Sequence, residues 1–552
     1  MAAPRFPDYE PTVPVFLAQL TKRYGERPLI LLGDRRISYA EAERASARLA
    51  RGLLARGFGK GSRVAMLAPN GPDWVVWWLA VARIGAVLVP LNTFYKPREL
   101  GYVLRHSDAA ALITVARFLS NDYLERLEAC SPGLAGQSGG PLYAREVPHL
   151  RHVFVAGDAR GRKWIEPISA LEAAADAAPA IGDAFLAEVE ACVTPSDPML
   201  VIYSSGSTAD PKGAVHSQGA PLRHAYNTNQ FRDFEPTDRI FSPMPFFWVG
   251  GFVFSLLAAM HAGAFLLCEE AFEPGETLAL LERERATIAA GWPHYSKALA
   301  EHPSIATRDL SSIRAGNLYA VLPGAVQPAD PELRSNSLGM TETCGPHTYD
   351  RMDVDLPERL RGSFGHAVPG VEHKVVDPAT GATLGPGELG EICVRGYSLM
   401  LGLHKQERED VFDRDGYYHT GDAGYFDADG VLFFSARLGE MIKTAGANVT
   451  PREVEVVIET FPEVVSAFVV GLPDPVRGQN VAAAVVLKRG ATLDADTARE
   501  RLRKQLSSYK VPRRWLFAAK EELPFTDSGK IDKKRLAALL AERFASGERV
   551  GI

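Results

Sequence analysis

Residues 203–213 read YSSGSTADPKG and directly follow the short apolar run 199–202, which reads MLVI. The apolar run predicts a strand, and a turn rich in hydroxyls and glycine with one lysine suits phosphate binding. Gly206 and Gly213 can take a positive φ and let backbone N–H groups approach an anion. A Ser/Gly surface linker is the alternative for this stretch taken alone. The hydroxyls and the charge come from Ser204, Ser205, Ser207, Thr208 and Lys212.

The loop is not of the Walker type, because that motif needs Gly-Lys followed at once by Ser or Thr. Lys212 is followed by glycine and Lys530, the other candidate, by isoleucine. The stretch instead resembles the signature loop of the adenylate-forming superfamily, which contains acyl-CoA synthetases, luciferases and peptide-synthetase adenylation domains. The resemblance implies that the loop holds the β- and γ-phosphates of ATP, with Thr208 contributing to catalysis. Ala209 stands where the family usually has glycine.

A second family motif is GMTET at residues 339–343. A Thr-Glu pair alone carries no meaning, but this one lies at the distance from the phosphate loop that the family has. A carboxylate is the hard oxygen ligand that Mg²⁺ prefers. The resemblance makes Glu342 the magnesium ligand and a catalytic residue, and it puts Gly339, Met340 and Thr341 in the nucleotide site.

A third motif, YHTGD at residues 418–422, ends in Asp422. A carboxylate has two acceptor oxygens and can receive both ribose hydroxyls, although a hairpin-turn aspartate is the alternative for the motif alone. The resemblance makes Asp422 the ribose ligand and Arg437 the second one. Gly446, within the hinge-like stretch 436–455, matches the region that lines the pantetheine channel for CoA.

The last motif, LPFTDSGKIDKKRL at residues 523–536, holds Lys530 on a turn. A single lysine is most often a solvated surface residue, but this phrase resembles the one that carries the family's catalytic lysine. A flexible cation that reaches the α-phosphate would neutralise charge in the transition state. The resemblance therefore makes Lys530 catalytic.

The acyl pocket is expected at PMPFFWVGGF, residues 243–252. Such a run is as easily core. In related acyl-CoA synthetases the stretch lines the acyl pocket, which implies that Phe247, Trp248, Gly250 and Gly251 do so here. Because the run offers no carboxylate to hold an amine, a fatty or other hydrophobic acid is favoured over an amino acid.

One stretch departs from the family. Residues 312–338 are shorter than usual, and Leu338 stands where an aromatic side chain usually packs on adenine. The contact with the base is therefore expected to differ from the family's.

Composition sets the remaining limits. The 552 residues suggest two to four compact units, and a net charge of −6 gives no general attraction to nucleic acid. Residues 437–552 carry 20 Lys and Arg against 15 Asp and Glu, so this part is positive. Five scattered cysteines and a start without an apolar signal favour the cytoplasm. The most apolar window, residues 74–82, is too short to span a bilayer and is predicted to be a buried helix.

The local pattern predicts an α/β fold. Residues 37–58 begin with the capping-box pair Ser38 and Glu41 and predict a helix. Strands at 62–68 and 86–91 flank a helix at 71–84, which indicates a parallel sheet covered by helices. Residues 129–197 are expected to be a surface excursion before the sheet resumes.

The combined expectation is an AMP-forming acyl-CoA synthetase that uses ATP, Mg²⁺ and CoA and acts in fatty acid metabolism. Residues 1–436 would form a large domain of mixed sheets covered by helices, 437–439 a hinge at Gly439, and 440–552 a small, mobile α+β domain that carries the catalytic lysine. Two alternatives stay open: a ligase that loads a carrier protein in trans, and a nucleotide-binding relative without catalysis. Whether the chain is a monomer or a homodimer is also open.

Overall fold

The computed structural model of the chain describes residues 3–204, 211–444, 447–449, 451–475, 477–506, 510–526 and 529–545. The chain divides into two compact units. One comprises Met1–Glu372 and Val394–Tyr418, and the other His373–Cys393 and His419–Ile552. Both contain helices and sheets, as the predicted fold class requires.

The first unit is built on an eight-stranded sheet whose central strands are parallel. The predicted alternation is confirmed by strand Arg63–Leu67, the buried helix Pro72–Arg83 and strand Val87–Pro90. Helix Tyr39–Ala55 begins with the predicted capping box, in which side chain and backbone of residues 38 and 41 bond reciprocally. In sheet order the strands are Gly402–Leu403, Lys212–Ser217, Pro198–Ser204, Val87–Pro90, Arg63–Leu67, Ala111–Val115, His152–Ala156 and Glu166–Pro167.

The prediction of a surface excursion at residues 129–197 was wrong for two strands, of which the longer is His152–Ala156 and the shorter Glu166–Pro167. Strand His152–Ala156 pairs in parallel with Ala111–Val115 and belongs to the same sheet. Its central residues 153–155 are buried. A buried strand of five residues shows no alternation, so its sequence does not separate it from a loop.

A six-stranded sheet forms the other half of the first unit. Five of its strands pair in parallel, so their carboxyl ends meet at one edge of the sheet. The segment 242–248, Glu269 and Trp292 each follow one of these strands closely. In sheet order the strands are Ala315–Gly316, Ile288–Ala289, Arg239–Phe241, Phe265–Cys268, Pro28–Leu32 and Arg35–Ser38.

Helices cover these sheets and bury their apolar faces against them. Within the described ranges, none of the helices combines the length and the apolar composition needed to cross a membrane. Besides the two named above, the main ones are Val13–Tyr24, Pro97–His106, Tyr123–Cys130, Ser169–Ala177, Asp183–Ala191, Gly219–Asn229, Pro274–Arg283 and Pro293–Glu301.

The second unit contains most of a four-stranded sheet and a separate five-stranded sheet. The five-stranded sheet is centred on the long hairpin Val464–Asp474 and Gly478–Leu487, and Trp515 is buried on a strand that pairs with the second of these. Its other strands are Ile442–Thr444, Ala447–Val449 and Arg514–Phe517. In sheet order the strands of the four-stranded sheet are Val371–Val376, Gly390–Gly396, Tyr418–Phe426 and Leu432–Arg437. The helices of the second unit are Pro451–Glu459, Ala495–Arg503 and Lys533–Ala545.

Candidate functional site

The expected phosphate loop joins two antiparallel strands, in which Ser204 lies opposite Lys212. Gly213 was expected to allow a positive φ, and this is corrected: it lies within the second strand, away from the left-handed region. A Cβ there would lie 2.8 Å from Val201 and 3.0 Å from the Tyr203 ring, so glycine is required for close packing. Outside the described residues are Ser205, Gly206, Ser207 and Thr208.

The GMTET motif forms a tight turn beside this hairpin. Strand Leu338–Met340 leads into a 3₁₀ helix, Thr341–Thr343. His216, on the same strand as Lys212, places Nε2 2.8 Å from the Thr341 carbonyl oxygen. Burial lowers the pKa of His216 to about 4, so the neutral ring donates this hydrogen bond. The structure thus ties two motifs that are far apart in sequence to each other.

The predicted residues of this turn have distinct surroundings. Gly339 has no room for a side chain, since a Cβ would lie 2.5 Å from the Gly345 carbonyl oxygen. The backbone of Glu342 is held by the Met400 N–H at 2.9 Å. Its half-buried carboxylate pairs with no lysine or arginine of the described chain, so it is available to a cation. Met340 ends the strand.

The pocket residues form an aromatic wall at the carboxyl edge of the six-stranded sheet. Phe247 and Trp248 meet edge to face with centroids 5.0 Å apart, and Trp248 meets Trp292 at 5.8 Å. Trp292 stacks on Tyr295 at 5.7 Å, and Tyr295 contacts Phe272 at 4.2 Å. The structure therefore extends the predicted run with Phe272 from a second loop and with Trp292 and Tyr295 from the start of helix Pro293–Glu301.

The two predicted pocket glycines differ in how tightly they pack. They lie in a short helix that continues as a π-helical turn, Phe252–Leu257. A Cβ on Gly251 would lie 2.0 Å from the Pro245 carbonyl oxygen, whereas the nearest described atom to one on Gly250 would be a sulfur at 3.5 Å. The Asn70 side chain accepts the Phe246 N–H at 2.7 Å and fixes the loop before them.

The region expected beside adenine is irregular in the described chain. Strand Ala315–Gly316 is followed by two 3₁₀ turns, Tyr319–Val321 and Pro331–Leu333, and residues 317–337, all of them described, contain no α-helix. Leu338 is half-buried in its short strand. An irregular stretch without an α-helix agrees with its short sequence.

In the second unit, the two predicted ribose ligands lie opposite each other on paired strands. Arg437 Nε donates to Asp422 Oδ1 at 2.8 Å, and Asp422 is buried while Arg437 is half-exposed. The preceding Thr420 accepts the Asp422 N–H at 3.0 Å, and Glu391 accepts the Gly421 N–H at 3.0 Å. The Asp422 carboxylate is therefore held in place before any ligand arrives.

Lys530 lies on an exposed turn that is closed by its own backbone. Its carbonyl oxygen accepts the Thr526 N–H at 2.7 Å, and Gly529 has φ +74°. No carboxylate of the described residues pairs with the Lys530 amine. Gly446, the residue predicted for the CoA channel, lies outside the described residues.

Sequence reasoning missed three positioning side chains, His216, Asn70 and Glu391. His216 and Asn70 carry no local signal, because their partners are distant in the chain. Glu391 did have a local sequence signal. It stands two residues from Cys393 in a strand-like stretch, where alternate residues share a face.

The first unit thus joins a lysine-bearing hairpin to a carboxylate-bearing turn, as an enzyme that activates a substrate with a nucleotide requires. The chain matches the AMP-binding enzyme family over residues 17–404 and the AMP-binding enzyme C-terminal domain over residues 453–530. The chain belongs to this adenylate-forming family and is an AMP-forming acid–CoA ligase, with ATP, CoA and a carboxylic acid as substrates.

Two curated relatives and one solved structure illustrate the similarity along nearly the whole chain. The mitochondrial medium-chain acyl-CoA ligase ACSF2 of Bos taurus is 30% identical, over 91% of this chain and 82% of its own. The indoleacetate–CoA ligase of Aromatoleum aromaticum (strain DSM 19018 / LMG 30748 / EbN1) is 31% identical, over 92% and 94%. ATP-bound MatB from Rhodopseudomonas palustris matches with a TM-score of 0.77 at 25% identity, over 96% of this chain and 99% of that one. The predicted family and fold class are confirmed.

Proposed function

We propose that the acid which this ligase activates is hydrophobic, either fatty or aromatic. The observation that carries the proposal is the aromatic wall of Phe247, Trp248, Trp292, Tyr295 and Phe272. Burial of apolar substrate surface against these rings would contribute about 25 cal/mol of binding free energy per Å². The activities named for the two relatives, toward medium-chain acyl groups and indoleacetate, support an apolar acid of either kind.

The reaction would run in two steps. A carboxylate oxygen of the acid attacks the α-phosphorus of ATP, the bond to the pyrophosphate oxygen breaks, and acyl-AMP forms. The CoA sulfur then attacks the acyl carbon, the bond to AMP breaks, and the thiol proton passes to solvent. Lys530 would neutralise charge on the α-phosphate in the first step, and Lys212 would hold the departing pyrophosphate.

The other site residues would bind rather than react. Asp422 would accept the ribose hydroxyls, with Arg437 holding its carboxylate. Glu342 fits a magnesium ion, because its oxygen is hard and has no competing cation among the described residues. When bound, Mg²⁺ would screen the charge of the phosphates.

The domain division is part of the proposal. Residues 1–436 would form the nucleotide and acid domain, 440–552 the small domain, and 437–439 the hinge. Gly439 lies in a 3₁₀ turn, Leu438–Glu440, and a Cβ added to it would meet no atom of the described residues within 4 Å. Because glycine has no side chain to restrict its φ and ψ, this position can absorb a change of backbone conformation.

Pyrophosphate exchange across a panel of acids tests the substrate class. We expect exchange with medium-chain and arylacetic acids to exceed that with acetate or an amino acid at least about tenfold, with thioester formed when CoA is added. Trp248→Ala should lower kcat/KM for the hydrophobic acid and leave that for acetate nearly unchanged. Preference for acetate would overturn the proposal. Exchange without thioester would point to a carrier acceptor, and no acid dependence to a non-catalytic relative.

The role of Lys530 has a separate test. Lys530→Ala should abolish adenylation while thioester formation from supplied acyl-AMP survives, because only in the first step is the α-phosphorus itself attacked. Lys534→Ala, which removes an exposed lysine of the last helix, is the matched control. Equal loss of both half-reactions would contradict the assignment.

A further inference from the structure

Three side chains with metal-binding atoms meet on the four-stranded sheet of the second unit. Glu391 and Cys393 stand two residues apart on strand Gly390–Gly396 and so point to the same face. His419 lies on the neighbouring strand, Tyr418–Phe426. One carboxylate oxygen, Sγ and one ring nitrogen lie within 4.8 Å of one another. Across the described ranges, no other set of three His, Cys, Asp or Glu side chains has this arrangement.

We propose that Glu391, Cys393 and His419 form a binding site for Zn²⁺ or a similar borderline-soft divalent ion. Zinc bonds of about 2.3 Å to sulfur and about 2.1 Å to nitrogen or oxygen put tetrahedral ligands about 3.5 Å apart. Cys393 Sγ and His419 Nδ1 are 3.5 Å apart, as the geometry requires. His419 Nδ1 and Glu391 Oε2 are 2.8 Å apart and would have to separate slightly.

The cluster can make that adjustment. The His419 side chain is 42% exposed, so the ring can turn and an ion can enter from its side. Cys393 is buried, so its sulfur would contact the ion from the side of the protein interior. The three atoms leave a fourth position for water, as in open zinc sites.

A hydrogen bond outside the three ligands orients the site, and the ligand types determine which metals it prefers. The second oxygen of Glu391 accepts the Gly421 N–H at 3.0 Å, which orients the carboxylate and leaves Oε2 for the ion. Thiolate and imidazole select zinc-like ions over magnesium. The site therefore differs in metal from the magnesium site proposed at Glu342 and does not depend on it. On binding, the Cys393 thiol loses its proton to solvent and its sulfur lone pair bonds the ion.

Co²⁺ titration of the purified full chain tests the site directly. We expect one equivalent of Co²⁺ to produce a thiolate-to-metal charge-transfer band, and one equivalent of Zn²⁺ to remove it. Cys393→Ser should abolish the band. The exposed Cys192, replaced by Ser, is the matched control and should leave it intact.

Because Cys393 is buried, its variant could fail to fold, and a second variant then decides. His419→Ala alters a partly exposed side chain and should weaken Zn²⁺ binding at least about tenfold in competition with a chromophoric chelator. Thermal unfolding verifies that each variant is folded. The absence of a charge-transfer band in the wild type, a band that persists in folded Cys393→Ser, or unchanged affinity in His419→Ala would each overturn the proposal.

Discussion

Glu269 is a carboxyl group that the fold keeps away from water at the carboxyl end of strand Phe265–Cys268. One oxygen accepts the Thr277 hydroxyl at 2.7 Å, and the other is buried with no hydrogen-bond partner among the described residues. Burial raises the pKa of Glu269 from 4.5 to about 7, and nearby Glu273 adds to the rise. Each pKa unit corresponds to 1.36 kcal/mol, so ionisation in the folded state costs about 3 kcal/mol.

The sign of the pH dependence follows from this shift. The folded carboxyl binds its proton more tightly than the unfolded one, so between about pH 4.5 and pH 7 the folded state carries the extra proton. Stability therefore falls as the pH rises through that window and levels off above it. Glu269→Gln removes the charge and keeps an acceptor for Thr277, so the variant should not show this loss.

Thermal unfolding of the full chain from about pH 5 to about pH 9 measures the effect. We expect the Tm of Glu269→Gln minus that of the wild type to rise by a few degrees between about pH 5 and pH 8 and then to stay constant. Glu270→Gln, at the exposed neighbouring position, is the control and should give a flat difference. A flat difference for Glu269→Gln as well, or a variant less stable than the wild type at about pH 8, would refute the reasoning.

Three further experiments, two of them with a comparison variant, test the site. Gly251→Ala should destabilise the fold by about 1–3 kcal/mol in denaturant unfolding, while Gly250→Ala should be nearly neutral, because only the first Cβ meets backbone. His216→Ala leaves the Thr341 carbonyl without its donor and should raise the KM for ATP, with partial rescue by His216→Gln; an unchanged KM in both would contradict the link. Asp422→Asn should raise the KM for ATP about tenfold or more in pyrophosphate exchange and leave the KM for the acid unchanged, whereas a change in both would argue against ribose binding.

Part of this site could be predicted from the sequence, because some of its residues lie on strands and turns that have a local sequence pattern. The DADG turn at 427–430 closes a hairpin, and residues equally distant from such a turn pair across it. Asp422 lies five residues before this turn and Arg437 seven after it, and a register shift in the hairpin brings them opposite each other. The strand and helix alternation over residues 62–91 followed in the same way from short apolar runs, and the preceding helix from its capping box.

Other parts depend on contacts that no local pattern encodes. His216 bonds a carbonyl 125 residues away, and its own neighbours show only a buried strand. The pair Glu391 and Cys393 could be assigned to one face by alternation, but His419 joins them only because its strand is the next one in the sheet. Strand His152–Ala156 was missed because so short a buried run fits a loop as well as a strand.

The carboxyl edge of the six-stranded sheet gives a physical reason why one fold serves relatives named for different acids. Phe247 and Trp248, Glu269, and Trp292 each come from a different loop, and each loop follows one of three parallel strands. Loop residues can change without disturbing strand pairing, so the wall can be rebuilt one ring at a time. Glu269 limits this freedom, because further apolar burial around it raises the cost of its charge at neutral pH. A larger apolar pocket at this edge would therefore favour replacement of Glu269 by a neutral residue.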